Sequence, residues 1–256
     1  MLKFAKANIY GACFNDVAEY ICSNIFDIVG INCQFSILGL YEGKKVVACQ
    51  DFVVDGYKFS PFNDLGESSI EVEKDRYRYR YAEIELLIDS NKKLNDKNYA
   101  KMLFWKTYIM DALLANPDRH GKNWGFLKKN NEYFVAPVFD NGSSLFSSFS
   151  DEEEMEYVLS NADEIDERVY RTPKSLIIDD NTISDYYSII SSLKYERCNK
   201  ALIELFPLIN IKRIKQLIDK TDLTDVKKRF VKTIIESRYE KILKSTYLRL
   251  TNDEKN

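Results

Sequence analysis

The spacing of apolar and polar positions changes along the first quarter of the chain, and each spacing predicts a different element. In residues 16–29 apolar side chains recur at steps of three and four, which predicts an amphipathic helix. Gly30 follows this run and is placed to end the helix. Residues 2–5 are predicted to form a short strand. The apolar runs 35–41 and 46–54, separated by a polar turn that contains glycine, predict a β-hairpin.

The remainder of the chain is predicted to be mainly helical. Residues 82–89 and 98–115 both carry helical spacing, and the second run is apolar nearly all round, which predicts a buried central helix. Two strand-like runs, 124–127 and 133–139, follow it and are joined by a polar turn. Further helices are predicted near residues 152–160, 183–193, 197–206, 211–220 and 224–249, and residues 251–256 are predicted to fray.

Residues 55–68 separate these two regions and are rich in residues that interrupt helices and strands. They contain Gly56, Pro61, Asn63, Asp64 and Gly66. Such a cluster predicts a boundary between two parts of the molecule.

Composition narrows the class of protein. The chain has 256 residues, of which 45% are hydrophobic and 30% charged, so it is long enough to bury a core and is not a disordered protein. Its net charge of −3 argues against electrostatic binding of the protein to a nucleic-acid backbone, and we expect no direct nucleic-acid partner. The alternating Arg-Tyr segment 76–81 is flanked closely by acidic residues, which favours a solvated surface. A single histidine, His120, excludes metal sites that need two.

The cysteines and the apolar segments indicate a compartment. Five cysteines without a C-x-x-C pair argue against a disulfide framework or a zinc ribbon, and a reducing cytoplasm is the expected location. No apolar run reaches the ~18 residues of a membrane span. The strongest run, residues 108–115, contains Asp111. The N-terminus lacks the sustained apolar stretch of a signal peptide, so we expect no membrane partner.

The segment Asn116-Pro117-Asp118-Arg119-His120-Gly121-Lys122-Asn123 follows the predicted central helix. Proline ends a helix, so Asp118 is predicted to lie on a loop directly after it. The two strand-like runs come next, and Asp140 follows the second of them. Residues equidistant from a hairpin turn face each other, and Asn123 and Asp140 are nearly symmetric about this turn. The hairpin is therefore predicted to bring the Asn123 amide beside the Asp140 carboxylate, one loop away from Asp118.

Two oxygen ligands beside a third carboxylate are what phosphoryl transfer requires. Mg²⁺ takes oxygen ligands and neutralises phosphate charge, and a further carboxylate orients the attacking hydroxyl and accepts its proton. The order Asp, four residues, Asn, hairpin, Asp-x-Gly is that of the catalytic loop and metal-binding segment of protein kinases. In this order Asp118 is the predicted base, and Asn123 and Asp140 are the predicted metal ligands. Gly142 permits a tight turn behind the metal.

Each part of this pattern also has a simpler interpretation. Asp118 after Asn-Pro is a common turn or cap residue, and Asp140-Asn141-Gly142 is a common turn sequence. His120 is by itself more often a packed loop residue than a catalyst, and Lys122 is nearly as often a solvated lysine. The combination at kinase spacing favours the catalytic interpretation, in which His120 braces Asp118 and Lys122 meets the γ-phosphate.

The segments 116–127 (NPDRHGKNWGFL) and 136–145 (APVFDNGSSL) resemble the HipA-like Ser/Thr kinases, and most of all the CtkA-type branch of that family. The shared pattern is D-R-H-x-x-N together with A-P-x-x-D-x-G, and the pair is specific where either half alone is weak. The resemblance runs through nearly the whole chain, from the segment MLKF at residues 1–4 to the C-terminal helices.

The resemblance implies an α+β, bilobal protein-kinase-like fold with a small, reduced β-rich N-lobe and a larger helical C-lobe. Residues 1–58 are expected to form the N-lobe, and residues 59–256 the C-lobe with the catalytic loop. It also implies ATP and Mg²⁺ as cofactors, and a protein substrate with a Ser or Thr hydroxyl, autophosphorylation included. Several relatives are toxins restrained by a helix-turn-helix antitoxin, so an antitoxin is an expected partner.

The same resemblance assigns nucleotide-binding residues. Lys3 matches the strand lysine that contacts the α- and β-phosphates of ATP, and Glu19 matches its helix partner. Gln50 and Phe52 match the hinge, whose backbone groups hydrogen-bond adenine. The simpler interpretation of both Lys3 and Glu19 is that each is a solvated charged residue.

The chain departs from the family pattern at its start. The family places a Gly-rich, phosphate-covering segment before the strand lysine, whereas only Met1 and Leu2 precede Lys3 here and no G-x-G-x-x-G occurs. Three explanations are open: a start codon assigned too late, a missing piece supplied by another polypeptide, or a decayed enzyme. The alternative to an active kinase is therefore a catalytically impaired nucleotide-binding or partner-binding module, or the core of a split kinase completed by another chain.

Overall fold

A small antiparallel sheet and the first helix begin the fold. The computed structural model describes residues 1–67, 80–179 and 182–253. The first region of the fold contains, in chain order, β1 (Leu2–Phe4), β2 (Ala7–Asn8), β3 (Gly11–Ala12), α1 (Asn15–Ile28), β4 (Ser36–Tyr41) and β5 (Lys44–Cys49). Strands β1, β5 and β4 pair antiparallel in that order, and β2 and β3 form a separate hairpin. Helix α1 packs against β4 and β5.

The end of α1 follows from the local sequence. The helix predicted over 16–29 is confirmed with a shift of one residue. Gly30 has a φ of 73°, and its N–H donates to Asp27 O at 2.9 Å. A left-handed residue after the last turn favours glycine, so Gly30 ends the helix as predicted.

The predicted hairpin is also confirmed, with a shorter second strand. Glu42 and Gly43 both have positive φ, which matches the twist of a two-residue hairpin turn. Strand β5 ends at Cys49, and the apolar run continues to residue 54 without pairing as β5. Asp51 accepts a hydrogen bond from Val53 N–H at 2.9 Å, so this stretch turns away from the sheet.

The second region is larger and mainly helical. Its elements are, in chain order, β6 (Lys58–Pro61), α2 (Phe62–Glu67), α3 (Tyr81–Ser90), α4 (Lys97–Leu114), β7 (Gly125–Lys129), β8 (Glu132–Val135), α5 (Glu152–Ser160), α6 (Ala162–Tyr170), β9 (Lys174–Asp179), β10 (Thr182–Asp185), α7 (Tyr186–Ser191), α8 (Glu196–Leu205), α9 (Ile211–Asp219), α10 (Asp225–Arg238) and α11 (Ser245–Asp253). Strands β6, β7 and β8 form an antiparallel sheet, and β9 and β10 form a hairpin.

Helix α4 is the predicted central helix. Asp96 caps its start by accepting a hydrogen bond from Tyr99 N–H at 2.8 Å, and Ala115 in the left-handed conformation ends it. All residues from Thr107 to Leu114 are buried, which confirms the interpretation of its apolar surface. Because α4 ends at Leu114, the loop that carries Asp118 begins at the buried end of this helix.

The segment 55–68, predicted as a boundary, contains secondary structure in its described part. Strand β6 pairs with β7, so it belongs to the sheet of the second region. The close approach of the two strands requires Gly125, where a Cβ would lie 2.3 Å from Ser60 O. Residues 68–79, which include most of the Arg-Tyr segment, lie outside the described residues. The division into residues 1–58 and 59–256 stays a prediction.

The prediction of a helix over 183–193 is wrong at its start. Residues 182–185 form β10, and α7 begins at Tyr186 because Asp185 caps it by accepting a hydrogen bond from Ser188 N–H at 2.6 Å. The sequence patterns also missed β9 and α6. Helix α6 has few apolar positions and depends on Asn161, whose side chain accepts hydrogen bonds from the first turn.

The C-terminal helical run is also divided. The single helix predicted over 224–249 is α10, a π-helical turn over 239–244, and α11. The prediction of fraying from residue 251 is wrong for residues 251–253, which are helical, and residues 254–256 lie outside the described residues.

Two apolar clusters hold these elements together. The larger joins α1, α4 and the C-terminal helices, and it buries Phe26, Trp105 and Phe230 completely. The smaller surrounds Phe62 and Phe126 beside the β6–β7–β8 sheet. Because α1 and α4 share one core, the small first region is held against the helical region, and a cleft remains between them. Across residues 1–67, 80–179 and 182–253, none of the helices is long and apolar enough to span a bilayer.

Candidate active site

A lysine on the first strand bridges two carboxylates from different parts of the molecule. Lys3 Nζ lies 2.7 Å from Glu19 Oε2 on α1 and 2.7 Å from Asp140 Oδ1. Lys3 pairs with Val47 of β5, which is fully buried on the face of the sheet that packs against α1. The sheet therefore aims the ammonium group of Lys3 at α1 and at the segment that carries Asp140.

The carboxylates keep this lysine charged. Burial alone lowers the pKa of Lys3, but the charge of Glu19 and the hydrogen bonds to Asp140 and Glu19 outweigh it, so the pKa is raised. Glu19 is fully buried, and its Oε1 accepts a second hydrogen bond from Asn141 N–H at 3.1 Å. Lys3 is therefore a fixed positive charge at neutral pH, partly accessible from the cleft.

Asp140 lies at a sharp bend that fits closely under α1. Its φ is 57°, in the left-handed region. At Gly142 a Cβ would lie 3.0 Å from Asn15 O and 3.3 Å from Glu19 Oε2. A side chain at position 142 would therefore press on α1, and the bend presents the half-exposed Asp140 carboxylate to Lys3.

The loop after α4 is stabilised by its own asparagines. Asp118 N–H donates to Asn116 Oδ1 at 2.9 Å, and Asn123 Nδ2 donates to the Asp118 carbonyl at 2.9 Å. The Asp118 side chain remains nearly half exposed. Its Oδ2 accepts a hydrogen bond from Ser143 Oγ at 3.4 Å, and its Oδ1 lies 3.7 Å from His120 Nε2. These contacts fix the carboxylate at the wall of the cleft.

Arg119 ties this loop to the segment of Asp140. It makes a bidentate ion pair with Asp111 of α4, at 2.9 and 3.0 Å. Its other hydrogen bonds reach the carbonyls of Asn123 at 3.1 Å and Phe139 at 2.6 Å, and Asn141 Oδ1 at 2.6 Å. Although burial opposes its charge, Asp111 raises the pKa of Arg119, so the guanidinium is a permanent connector.

The hairpin alone does not bring Asn123 to Asp140, and this part of the prediction is wrong. Paired residues run from Lys129–Glu132 to Phe126–Val135, and Pro137 has no N–H to continue the ladder. Val138 leaves the hairpin and pairs with the chain after α1, where its carbonyl accepts from Gln34 N–H at 2.7 Å. Arg119 makes the connection that the hairpin register does not.

Sequence reasoning missed Arg119 and the residues around it. Asp111 was the available signal, because a carboxylate inside an almost wholly apolar helix requires a buried partner. Asn116 Nδ2 also donates to Asp111 Oδ1 at 2.8 Å, and Tyr186 Oη donates to the Asn116 carbonyl at 2.6 Å. The loop therefore rests on a buried polar network anchored on α4.

A cleft of about 490 Å³ joins several of these groups. It is lined by Lys3, Phe4, Lys6, Cys13, Asn15, Glu19, Pro117, Asp118, Asp140, Gly142, Ser143, Ser147 and Ser148. Four of the predicted site residues therefore line one cleft: Lys3, Glu19, Asp118 and Asp140. Asn123 is hydrogen-bonded to the Asp118 carbonyl.

Asn123 and the remaining predicted residues lie outside this lining. The N–H of Gln50 donates to Phe35 O at 2.9 Å, and its carbonyl accepts from Gln34 Nε2 at 2.8 Å. The ring of Phe52 packs on Phe139, with centroids 5.2 Å apart. Lys122 is exposed, and its N–H donates to His120 Nδ1 at 3.2 Å. The roles of Gln50, Phe52, His120 and Lys122 stay predictions.

Two side-chain oxygens, one on Asp140 in the cleft and one on the buried Asn123 behind the Asp118 backbone, suit a magnesium ion better than a softer metal. Asp140 offers a carboxylate, and Asn123 offers its Oδ1, because its Nδ2 is already bonded to Asp118. Within the described part of the chain, no three His, Cys, Asp or Glu side chains gather in a metal site. An ion held by one carboxylate and one amide needs further oxygens from a ligand, which is how Mg²⁺ is usually bound with nucleotide phosphates.

Comparison with known proteins agrees with this geometry. The family model of the HipA-like C-terminal domain matches residues 1–231. The chain is 35% identical over 241 residues to the serine/threonine-protein kinase CtkA of Helicobacter pylori, covering 93% of this chain and 73% of that kinase. The crystal structure of the Helicobacter pylori proinflammatory kinase CtkA matches with a TM-score of 0.91 and 32% identity, covering 99% of this chain and 91% of that one.

A more distant structure shares the fold. The HipA toxin–antitoxin complex of Shewanella oneidensis MR-1, with HipB and its operator DNA, matches with a TM-score of 0.62 at 16% identity. The match covers 96% of this chain and 59% of that chain. The α+β kinase-like fold that the family resemblance implied is therefore confirmed, and this chain belongs to the HipA-like family.

Proposed function

We propose that this chain is an ATP-dependent Ser/Thr protein kinase that transfers the γ-phosphoryl group of ATP to a protein hydroxyl. The observation that supports this most directly is the Lys3 bridge to Glu19 and Asp140, in the cleft that also holds Asp118. A fixed cation, an oxygen ligand for a metal and an accessible carboxylate are the parts that phosphoryl transfer uses. The similarity to the kinase CtkA supports the same conclusion.

Each residue has a proposed role in this reaction. Asp118 accepts the proton of the attacking hydroxyl. Its carboxylate is half exposed, so a hydroxyl in the cleft can reach it. Lys3 binds the α- and β-phosphates, and Glu19 holds its ammonium group in place. His120, 3.7 Å from Asp118, orients the base, and Lys122 meets the γ-phosphate.

Asn123 and Asp140 are the residues that would hold Mg²⁺. When bound, the ion neutralises charge on the phosphates. Lys3 already pairs with Asp140, so an arriving nucleotide exchanges one partner of that lysine for phosphate oxygens. Arg119 keeps both ligand-bearing segments in register while this exchange occurs.

The backbone near Gln50 and Phe52 is the proposed adenine site. Both backbone groups of Gln50 already make hydrogen bonds, so we assign the adenine contacts to the chain around Phe52. Phe52 and Phe139 pack together directly before Asp140, which joins this segment to the cleft. The proposed N-lobe of residues 1–58 would thus contact the nucleotide with Lys3 and with its last residues.

Transfer of labelled phosphate from ATP to a general protein acceptor such as casein tests this proposal. We expect Asp118→Ala and Asp140→Ala each to lower the rate by about 100-fold or more, since each tenfold corresponds to ~1.4 kcal/mol of barrier. Asp27→Ala is the matched control, because Asp27 lies exposed on α1 away from the cleft. Transfer that survives both cleft substitutions contradicts the mechanism.

A second candidate is a nucleotide-binding core that another polypeptide completes. Strand β1 lies at the edge of its sheet, and both Leu2 and Phe4 are exposed apolar residues on it. Among the strands that the structure describes, only β5 pairs with β1, and an apolar sheet edge of this kind is a surface to which another strand can add. If this candidate is correct, calorimetry should detect ATP binding by the chain alone. ATP turnover should begin only when a partner, such as an antitoxin, is added.

For either candidate function we propose a cytoplasmic protein, because all five cysteines are free thiols.

A further inference from the structure

Asn15 joins the start of α1 to the strand that carries Lys3. Its Nδ2 donates a hydrogen bond to the Phe4 carbonyl at 3.2 Å, and its Oδ1 accepts one from the Lys6 N–H at 2.7 Å. The donor and the acceptor of one amide thus hold the chain directly after Lys3. Asn15 also lines the same cleft as Lys3, so this contact lies at the edge of the proposed nucleotide site.

The local sequence does not account for this use of the amide. An asparagine or aspartate at the start of a helix usually accepts a hydrogen bond from the first turn of that helix, as Asp96 does for α4. The residue before α1 is Phe14, whose side chain does not cap the helix. The amide of Asn15, the first residue of α1, is nevertheless directed to the chain after β1. Asn15 therefore serves a contact between two elements.

The same face of α1 holds the other end of Lys3. Asn15 and Glu19 are four residues apart, so they lie about one turn apart on one face of the helix. Glu19 binds the ammonium group of Lys3 at 2.7 Å, and Asn15 binds the backbone of the next residue, Phe4. The backbone and the charged end of this lysine are thus both fixed to one helix, which sets the direction of its side chain.

The bend that carries Asp140 also rests against Asn15. A Cβ on Gly142 would lie 3.0 Å from the Asn15 carbonyl oxygen, so the backbone of the bend is in close contact with the first turn of α1. When a nucleotide replaces Asp140 as a partner of Lys3, the ammonium group loses one of its two carboxylates. The two hydrogen bonds of Asn15 do not involve Asp140, so they hold the strand in place throughout this exchange.

We propose that Asn15 is a positioning residue for the phosphates of the nucleotide and that it acts through Lys3, an inference that rests on the proposed function. Asn15 limits the movement of β1 against α1, so Lys3 meets the α- and β-phosphates with little further loss of conformational freedom. Removal of the amide should therefore weaken nucleotide binding. It should leave proton transfer to Asp118 unchanged, because Asp118 lies on the loop after α4.

Calorimetric titration of the full chain with Mg²⁺ and a non-hydrolysable ATP analogue tests the proposal. Asn15→Leu keeps the size of the side chain and removes both hydrogen bonds, and their backbone partners lie on exposed residues that water can reach. We expect Kd to rise about tenfold, as for the loss of two ordinary hydrogen bonds. In transfer to casein, KM for ATP should rise by a similar factor, with kcat within about threefold of the wild type.

Asn24→Leu is the matched control. Asn24 also lies on α1, and its amide donates to the Tyr20 carbonyl of the same helix at 2.8 Å. This substitution removes a hydrogen bond within α1 and none to β1, so we expect the Kd of the wild type. An equal loss of affinity in Asn24→Leu and Asn15→Leu would show that the effect comes from the helix and not from its contact with the strand.

A double-mutant cycle with Lys3→Met separates positioning from a general structural role. Residues that act through one another have non-additive effects, so Asn15→Leu should weaken binding by no more than about twofold in the Lys3→Met chain. A further tenfold loss there overturns the inference, as does a wild-type Kd in Asn15→Leu alone. Asn15→Ser goes through the same cycle, because a hydroxyl suits a helix start but is too short to reach both backbone groups, and it should show the same non-additivity.

The outcomes separate this inference from the proposed function. A chain that binds the analogue and shows the expected coupling, but transfers no phosphate to casein, counts against the kinase function and leaves the role of Asn15 intact. Transfer to casein with additive effects of the two substitutions does the reverse. A wild-type chain that binds no nucleotide contradicts both.

Discussion

Lys3 makes ion pairs with two carboxylates at once, so one positive charge faces two negative charges in the cleft. Its partners differ in kind, because Glu19 is fully buried whereas Asp140 is nearly half exposed. Removal of a buried partner leaves an uncompensated charge, which costs more than removal of an exposed one. Glu19 is thus the fixed partner of the lysine, and Asp140 is the one that a ligand can replace.

Lys3→Met should change how stability depends on pH at the alkaline end. A lysine whose pKa is raised by folding contributes stability that is present in full below its unfolded pKa, near 10.5, and is lost as the pH rises through the raised folded pKa. The wild type should therefore lose stability above about pH 10.5 more steeply than the variant. At pH 7 the variant should be less stable by about 2 kcal/mol, because Glu19 loses its cation.

Urea unfolding between pH 7 and pH 11 measures this difference. Lys44→Met is the control, because Lys44 is an exposed lysine on β5. Identical alkaline slopes for the wild type and Lys3→Met are the result that contradicts the assignment.

Arg119→Lys should impair catalysis more than nucleotide binding. Lysine keeps the positive charge but cannot make the bidentate pair with Asp111 and also reach the Asn123 and Phe139 carbonyls. We expect kcat to fall by roughly 100-fold and KM for ATP to change by less than about fivefold, since Arg119 positions groups without touching the cleft. Steady-state kinetics of transfer to casein measure both constants.

Arg213→Lys is the matched control for this substitution, because Arg213 is exposed on α9. A kcat that stays within twofold of the wild type in Arg119→Lys removes the positioning role.

At the scale of elements, local signals predicted the helices better than the strands. Helices α1 and α4 lie within one residue of their predicted bounds, because both carry complete apolar periodicity and clear ends. Strand β6 was missed because its partner β7 lies more than sixty residues away and its own sequence contains a proline. Helix α6 was missed because it is polar over most of its surface.

Gly125→Ala should weaken the junction of β6 and β7. The added Cβ would lie 2.3 Å from Ser60 O and 2.9 Å from Pro61 Cα, so the two strands must separate. We expect a loss of about 3 kcal/mol in the free energy of unfolding, measured by urea denaturation. Gly39→Ala on β4 is the control, because a Cβ there meets no atom within 4 Å. Equal stability of the two variants would show that β6 does not pack as described.

At the scale of the whole molecule, the cleft depends on both regions of the fold. Lys3 and Glu19 come from the first region, and Asp118 and Asp140 come from the second. The shared core between α1 and α4 holds the two regions, and with them these groups, together. A nucleotide bound between the two regions should therefore stabilise the entire chain against unfolding.

Mg²⁺ with ATP should raise the melting temperature. At a nucleotide concentration of about 100 times Kd, binding adds about 2.7 kcal/mol to the free energy of unfolding, which corresponds to roughly 5–10 °C for a chain of this size. Differential scanning fluorimetry measures the shift. We expect EDTA to remove most of it, and Asp140→Asn to show little shift in the presence of the metal. A full shift in EDTA would exclude the metal from nucleotide binding.

The sequence by itself determined the family, the central helices and the identity of the chemical groups, since motif spacing, apolar periodicity and end signals are properties of neighbouring residues. Only the tertiary structure decided which of these groups meet. Lys3 contacts Glu19 across 16 positions and Asp140 across 137, and such pairings depend on how the elements pack. The same reason hid the role of Arg119, because its partners are brought together by the core around α4 and not by the register of the hairpin.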